Sequence, residues 1–374
     1  MAGTAVIAGI GQTVFGRVPD RTTISMNIEA CRKAVSDAGI DKDAVDALLV
    51  KVPTSRVEMM YGQTLAEAMG LEPRFGGVFD QGGASNISMI GIAAMAIEAG
   101  QCDVALVCLA DNPKTGSRQA YEKPWGEAAD LGWSSVVAGY AMIAQRYRHE
   151  FAQAEDLWRE IAIACRAHGA ANPHAQLRKP LDADAYGASP WVVEPLRRDD
   201  CCLISDGAAA VVVMSETRAR ELGVTAPVPV LGFGQGNSSS DVILRPDLTQ
   251  TRADVSAQTA FKMAGLSPRD MDCAQIYDCF SVTVAMTLES YGFGSRAALV
   301  EMAGAGGFRL GGALPLNTAG GLLSETGMPG LQLVLEGVRQ MRGTSTSQVR
   351  DAKKCVVSNQ GGIMHTHSTL ILGQ

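Results

Sequence analysis

The sequence predicts an α/β fold built from two similar halves, with a segment of different character inserted between them. Three observations carry this. Apolar strand-like runs alternate with helix-period segments along most of the 374 residues, which implies largely parallel sheets covered by helices. The order of elements near the start recurs in residues 226–374, so halves of 1–225 and 226–374 are expected from an internal duplication. Residues 113–198 hold all four tryptophans (Trp125, Trp133, Trp158, Trp191) and most of the tyrosines, and read as an inserted loop domain covering a site.

The elements follow in order. Ala5–Ile10 is a short apolar strand ending in Gly9-Ile10-Gly11-Gln12. Thr22–Ala38 places Ile24, Ile28, Cys31 and Val35 on one helical face, and Gly39 supplies the stop. Ala44–Val50 reads as the next strand. The second half repeats this: Gly232-Phe233-Gly234-Gln235 in Val228–Gly236, a helix over Asp254–Ala264 closing on Gly265-Leu266, then the strand Ala274–Tyr277. Within the first half, Phe79–Ser85 leads into Ile87–Ala99, a helix apolar nearly all round and therefore buried, and Val104–Leu109 is a buried strand. Asp199–Ser215 returns the chain from the insert to the core. The second half continues through Asn317–Ser324, a helix ending near Arg342, the strand Lys354–Val357, a glycine loop Ser358–Gly362 and the strand His365–Leu372.

Bulk properties narrow the function. A net charge of −7 with 19% charged residues argues against nucleic acid as a partner. No apolar run approaches the length of a membrane span, and the N-terminus lacks the basic region of a signal peptide. Nine scattered cysteines without a paired motif fit a reducing cytoplasm and no structural metal within the chain. The glycine-rich stretch Gly304–Gly312 lacks the pattern of a nucleotide loop.

The stretch with most chemistry is Gln275-Ile276-Tyr277-Asp278-Cys279-Phe280-Ser281, at a strand-to-helix junction. A helix start presents unpaired N–H groups and the positive end of its dipole to a developing anion. Tyr277 offers a phenol there; the plainer alternative makes Tyr277 and Phe280 core and Asp278 an N-cap. His149, His168 and His174 fall in the insert and read as surface residues. His365 and His367 follow the glycine loop on one expected strand face, either as a structural pair or with one as general acid or base.

With these features the chain resembles the thiolase superfamily. The matches are the duplicated halves, the insert, Ser205-Asp206-Gly207-Ala208-Ala209-Ala210, Asn317 with Gly320-Gly321, and Asn359 with Gly361-Gly362. Tyr277-Asp278-Cys279-Phe280-Ser281 looks most like the sterol-carrier or lipid-transfer branch. The resemblance implies a five-layered αβαβα fold, a homodimer and acyl-CoA ligands. It also places Gly83 where a thiolase has its nucleophilic cysteine, and leaves no histidine after Gly320-Gly321, where the chain reads Leu322-Leu323-Ser324-Glu325-Thr326-Gly327-Met328-Pro329-Gly330. Ordinary acyl-cysteine chemistry is therefore not expected. Ser85 has no evident base, Cys279 reads as packing or an alternative nucleophile, and Glu325 is a candidate stand-in for the histidine.

Retro-aldol cleavage of a β-hydroxyacyl-CoA needs no covalent nucleophile. It needs a base at the hydroxyl and donors at the thioester oxygen. Tyr277, His365 and His367 are the catalytic candidates; Gly83, Ser85, Asn317, Gly320, Gly321, Asn359, Gly361 and Gly362 are the oxyanion and substrate-binding candidates. The chain resembles steroid side-chain aldolase subunits, which work with a small OB-fold/zinc-ribbon partner and need no cofactor beyond the CoA thioester substrate. That branch's second tyrosine has no counterpart in Thr326–Pro329. The alternatives are a catalytically silent acyl-CoA-binding subunit and an acyltransferase or thioesterase using a non-standard residue. No basic cluster for a CoA phosphate stands out; Arg146, Arg148, Arg178 and Lys179 are candidates.

Overall fold

A computed structural model describes residues 5–119, 130, 133, 135–239 and 241–374; Trp125 and part of the expected insert lie outside these. The first half runs β1 (Ala5–Gln12), α1 (Thr23–Ala38), β2 (Ala47–Val50), α2 (Tyr61–Met69), β3 (Phe75–Val78), α3 (Ser85–Glu98) and β4 (Val104–Asp111). The insert contributes α4 (Val136–Glu150), α5 (Ala154–Ala171), α6 (Ala183–Gly187) and the ribbon β5 (Trp191–Val193) with β6 (Leu196–Arg197). β7 (Gly207–Ser215) and α7 (Glu216–Glu221) follow. The second half runs β8 (Val228–Asn237), α8 (Ala253–Ala264), β9 (Cys273–Gln275), α9 (Ser281–Tyr291), α10 (Arg296–Gly304), α11 (Gly321–Ser324), α12 (Gln332–Arg342), β10 (Lys354–Gly361) and β11 (Thr366–Gly373).

The strand order β3-β2-β4-β7-β1 of the first half is matched in the second by β9-β10-β11-β8, with Leu316 bridging the outer side of β9 in the place of β3. Strand directions match as well. β2 is parallel to β3 and β4, and β9 is parallel to β10 and to the Leu316 bridge; β7 and β11 run antiparallel to their neighbours. The two half-sheets touch edge to edge where Val6 pairs with Pro229 and Ile7 with Val228.

The repeated Gly-x-Gly is a packing device. A Cβ on Gly9 or Gly11 would lie 2.1 Å from the Ala34 or Ala30 carbonyl oxygen of α1. On Gly232 or Gly234 it would lie 2.1 or 2.0 Å from the Ala260 or Ser256 oxygen of α8. Both helices rest directly on a strand backbone that carries no side chains at the contact. Both end in the same cap: Gly39 (φ 69°) and Gly265 (φ 65°) are left-handed, and the next residue's N–H bonds back to Val35 or Phe261.

α3 packs against β4 and β7 on one side and β10 and β11 on the other, and α12 likewise meets strands of both half-sheets. With α1 outside the first half-sheet and α8 outside the second, the layers are αβαβα. Burial of α3 follows from its nearly all-apolar surface.

Several boundaries differ from the sequence reading. The strand expected over Ala274–Tyr277 spans Cys273–Gln275, the part of it that pairs with β10, and leaves Tyr277 in the link to α9. The strand expected over Ala44–Val50 starts at Ala47, because Lys42–Ala44 forms a 3₁₀ turn held by the Asp41 carboxylate. Ser358–Gly361 are strand rather than loop, since their backbone pairs with Thr366–Thr369; the turn is confined to 362–365. His365 accordingly lies in that turn and not in β11.

Candidate active site

Tyr277 sits in the five-residue link between β9 and α9. Its N–H bonds Ser358 Oγ at 3.3 Å, and the preceding Ile276 is pinned by Asn317, whose Oδ1 accepts from Ile276 N–H at 2.7 Å and whose Nδ2 donates to Ile276 C=O at 2.9 Å. The phenol then lies over the turn that opens α3. A Cβ on Gly83 would be 2.6 Å from the Tyr277 hydroxyl oxygen, 2.8 Å from its Cζ and 2.3 Å from the Gln360 carbonyl oxygen. A Cβ on Gly330 would be 3.0 Å from Tyr277 Cε2 and 3.6 Å from its hydroxyl oxygen. Two glycines thus leave room for the ring at the N-terminal end of α3, whose N-cap, Ala84, provides no side-chain cap.

Gly361 and Gly362 join this site. A Cβ on Gly361 would be 1.9 Å from Gln81 O, and one on Gly82 would be 2.9 Å from Gly361 Cα, so the two glycine segments are in contact. Tyr140 of α4 donates its hydroxyl to Gly362 O at 2.5 Å and lies 3.2 Å from Gln360 Oε1. Gln360 Nε2 in turn donates to Cys279 Sγ at 2.8 Å. Burial pushes the Cys279 thiol up to about 12 and the Tyr140 phenol well above its usual range, so both are held neutral. A thiol so protonated is a weak nucleophile.

Other expected site residues have structural duties. Ser85 Oγ donates to Gly82 O and accepts from Gln81 N–H, both at 2.7 Å, which commits its proton to the turn. Gly321 (φ 61°) has room for no side chain because a Cβ would be 2.2 Å from Asp278 Oδ2, and Gly320 (φ 108°) abuts the Gly169 backbone. Asp278 does not cap the helix that follows it. It accepts from the N–H groups of Leu322 and Leu323 at 2.7 and 3.2 Å and so caps α11. Burial raises it to about 6 against those bonds. Glu325 is enclosed, with Oε1 3.3 Å from Asn172 Nδ2 and Oε2 without a hydrogen-bond partner among the described residues. Desolvation raises it to about 8.

His367 does not face Tyr277, and His365 lies in the turn against Gly362. Thr366 Oγ1 and Ser368 Oγ donate to Gln81 O and Ala84 O, each at 2.8 Å, so that face of β11 looks onto the α3 turn. His367 lies between them and faces the opposite way, as does Thr369, which bonds Ser256 of α8. His367 is fully buried with neither ring nitrogen hydrogen-bonded among the described residues, and desolvation lowers it to about 3. His365 Nδ1 faces Arg245 Nη2 at 3.2 Å; burial, then that guanidinium, lower it to about 4. Such weakly basic imidazoles make poor proton acceptors.

The surface reading also fails for His168, which is buried with Nδ1 2.8 Å from Leu316 O; His149 and His174 are exposed. Arg146 and Arg148 are paired with Glu150 and Glu155, at 2.6 and 2.8 Å, and Arg178 and Lys179 are exposed.

A depressed imidazole stabilises the fold above its unfolded value of 6.5 and loses that contribution as pH falls toward the folded value. Over about 3.5 units this amounts to roughly 3–5 kcal/mol for His367. His367→Leu is therefore expected to flatten the acid limb of stability between pH 6.5 and 4. Urea unfolding across that range checks this; a slope identical to the parent's overturns it.

Gly330, Asn86, Tyr140 and Gln360 belong to the site but were not anticipated. Pro329-Gly330 and an asparagine at the start of an apolar helix were visible signals, and Gln360 fell within the expected glycine loop; nothing in the sequence marked Tyr140.

Comparison with known proteins fits this geometry. Residues 234–374 match the family described as thiolase C-terminal domain-like. The chain is 33% identical over 392 residues, all of both chains, to the 17-hydroxy-3-oxo-4-pregnene-20-carboxyl-CoA lyase of Mycobacterium tuberculosis. This chain belongs to the thiolase superfamily. Within it the chain falls in the sterol-carrier-like branch that includes steroid side-chain aldolases. It is 32% identical over 393 residues to the steroid side-chain-cleaving aldolase of Thermomonospora curvata, covering 100% of this chain and 98% of that one. A solved structure named Ltp2-ChsH2(DUF35) aldolase superposes with a TM-score of 0.90 at 32% identity, covering 100% of this chain and 98% of the other. In this thiolase-superfamily chain a tyrosine occupies the space a side chain at position 83 would need.

Proposed function

We propose that this protein is a carbon–carbon lyase that cleaves a β-hydroxyacyl-CoA by a retro-aldol reaction, with a steroid or aromatic side chain as the acyl group. The observation that carries the reading is the Tyr277 phenol lodged over Gly83 at the start of α3, where a nucleophilic side chain has no room. The full-length similarity to proteins named as a lyase and an aldolase supports it.

In the proposed reaction the Tyr277 oxygen, as phenolate, takes the β-hydroxyl proton. The Cα–Cβ bond breaks, the hydroxyl carbon leaves as a carbonyl, and the electron pair moves onto the thioester as an enolate. Backbone N–H groups around Gly83, Gly361 and Gly362, with the α3 dipole, stabilise that oxygen. The Tyr277 proton then passes to Cα, giving the shortened acyl-CoA and restoring the phenolate. The cycle is proton-neutral and calls for no cofactor.

Tyr277→Phe is expected to lower turnover by about 10²–10⁴-fold, the usual worth of a positioned acid or base. The assay follows carbonyl release from 3-hydroxy-3-phenylpropanoyl-CoA and a steroid β-hydroxyacyl-CoA, with the partner protein co-expressed. Undiminished cleavage by the variant would remove Tyr277 from the mechanism.

We also propose a small OB-fold/zinc-ribbon partner, supported by the two-component name of the similar aldolase structure. A homodimer is supported by the open outer edge of β3 beside the exposed Val78 and Met60, with a groove of about 730 Å³ between β3 and α2. A cytoplasmic location is supported by nine free cysteines; no described helix is long and apolar enough to cross a membrane.

One observation favours a second reading, a silent acyl-CoA-binding subunit: His367 faces away from the Tyr277 side of β11. Tight CoA-ester binding without turnover, alone or with the partner, would select it.

A further inference from the structure

Two buried carboxamides hold the glycine walls beside Tyr277. Asn86, in the first turn of α3, is fully buried, and its Nδ2 donates to Gly83 O at 3.1 Å and to Pro329 O at 3.3 Å. Asn359, in β10 and equally buried, donates Nδ2 to Gly330 O at 3.4 Å. All three partners are carbonyl oxygens, so the tethered atoms must be the N–H ends, which fixes both amide orientations. Asn86 therefore ties the turn bearing Gly83 to a segment 243 residues away that bears Gly330. A Cβ on Gly330 would touch Asn86 Nδ2 and Tyr277 Cε2, each at 3.0 Å, so amide and phenol flank the same glycine.

The other end of each amide is informative. Asn86 Oδ1 and Asn359 Oδ1 are buried and have no hydrogen-bond partner among the described residues. Each amide therefore uses its N–H end on carbonyl oxygens of the glycine walls, which an apolar replacement would leave without that donor, while its own acceptor end goes unused among the described residues.

We propose that Asn86 and Asn359 are positioning residues for Tyr277: their amide N–H groups set the spacing between Gly83 and Gly330, and so the place of the phenol hydroxyl. The inference rests on the lyase reading for its catalytic meaning, but not for its structural content. A phenol displaced by about 1 Å loses about 10²-fold in rate while substrate still binds.

The test uses Asn86→Leu and Asn359→Leu in the full chain co-expressed with its partner. Each variant is assayed on 3-hydroxy-3-phenylpropanoyl-CoA for kcat and KM and melted for Tm. Expected is a fall in kcat of about 10²-fold for Asn86→Leu, with KM changed less than about threefold, at assay temperatures where the variant remains folded. A lowered Tm with kcat intact would mean a merely structural role and overturn the proposal. A second readout needs no turnover: 3-fluorotyrosine labelling, with the Tyr277 ¹⁹F resonance assigned by its loss in Tyr277→Phe. That resonance should move in both asparagine variants while the other tyrosine signals hold. If the parent shows no cleavage, the lyase reading falls and the ¹⁹F shift alone decides the positioning role. An unmoved resonance overturns it. Should Asn86→Leu fail to fold, Asn359→Leu, which loses one long bond, carries both readouts.

Discussion

Gly83→Ala is expected to cost at least about 10²-fold in turnover and about 1–3 kcal/mol of stability. The added methyl would meet Gln360 O at 2.3 Å, a strand backbone atom that cannot move aside, and the Tyr277 hydroxyl at 2.6 Å. The phenol is the more mobile neighbour, so it is the one displaced. Gly83→Cys should behave no better. It restores the residue type of a thiolase nucleophile, yet its side chain and the Tyr277 ring need the same space. No acyl-cysteine should form on incubation with acetyl-CoA, as intact mass would show. Tyr277→Ala should relieve part of the stability loss of Gly83→Ala but not the clash with Gln360 O, so the two losses should be non-additive. Strictly additive losses, or an active Gly83→Ala enzyme, would mean that the ring is not held by this contact.

Glu325→Gln is expected to stabilise the protein at neutral and alkaline pH. Burial raises the Glu325 carboxyl from 4.5 to about 8 in the folded chain. Below pH 4.5 the carboxyl is protonated in both states and its full relative contribution is present. Between 4.5 and about 8 the unfolded chain releases a proton that the folded chain keeps, so stability falls as pH rises and the loss is complete above about 8. The span corresponds to roughly 3–5 kcal/mol. Glutamine is neutral in both states and can still accept from Asn172 Nδ2. Urea unfolding at pH 5 and pH 8.5 should show variant and parent close together at the lower pH and the variant ahead at the higher. Asp200 and Asp278, both raised to about 6 by burial, act in the same direction over a lower window and are common to both proteins. A pH-independent difference would show that Glu325 is not a buried neutral acid.

The α/β class and the duplication were legible in the sequence because each rests on local chemistry, whereas the absence of a nucleophile at Gly83 was legible only through the resemblance to the thiolase superfamily. Period-2 and period-3.6 patterns, the repeated Gly-x-Gly against α1 and α8, and the matching glycine caps at Gly39 and Gly265 are written in contiguous residues. Tyr277 stood out because it lies at a strand-to-helix junction that sequence can locate. What those patterns cannot encode is which way a side chain faces once strands pair. His365 and His367 were placed together on a shared strand face, but the turn runs on through His365, and β11 register sends His367 toward α8. Asn317 and Asp278 have the look of site residues, yet their bonds run to Ile276 and to the start of α11, contacts 41 to 45 residues away in sequence. The site itself joins residues 83, 277, 330 and 360, drawn together only when the two half-sheets close on α3. Local propensity settled the elements; the packing of one half against the other decided which groups meet at the phenol.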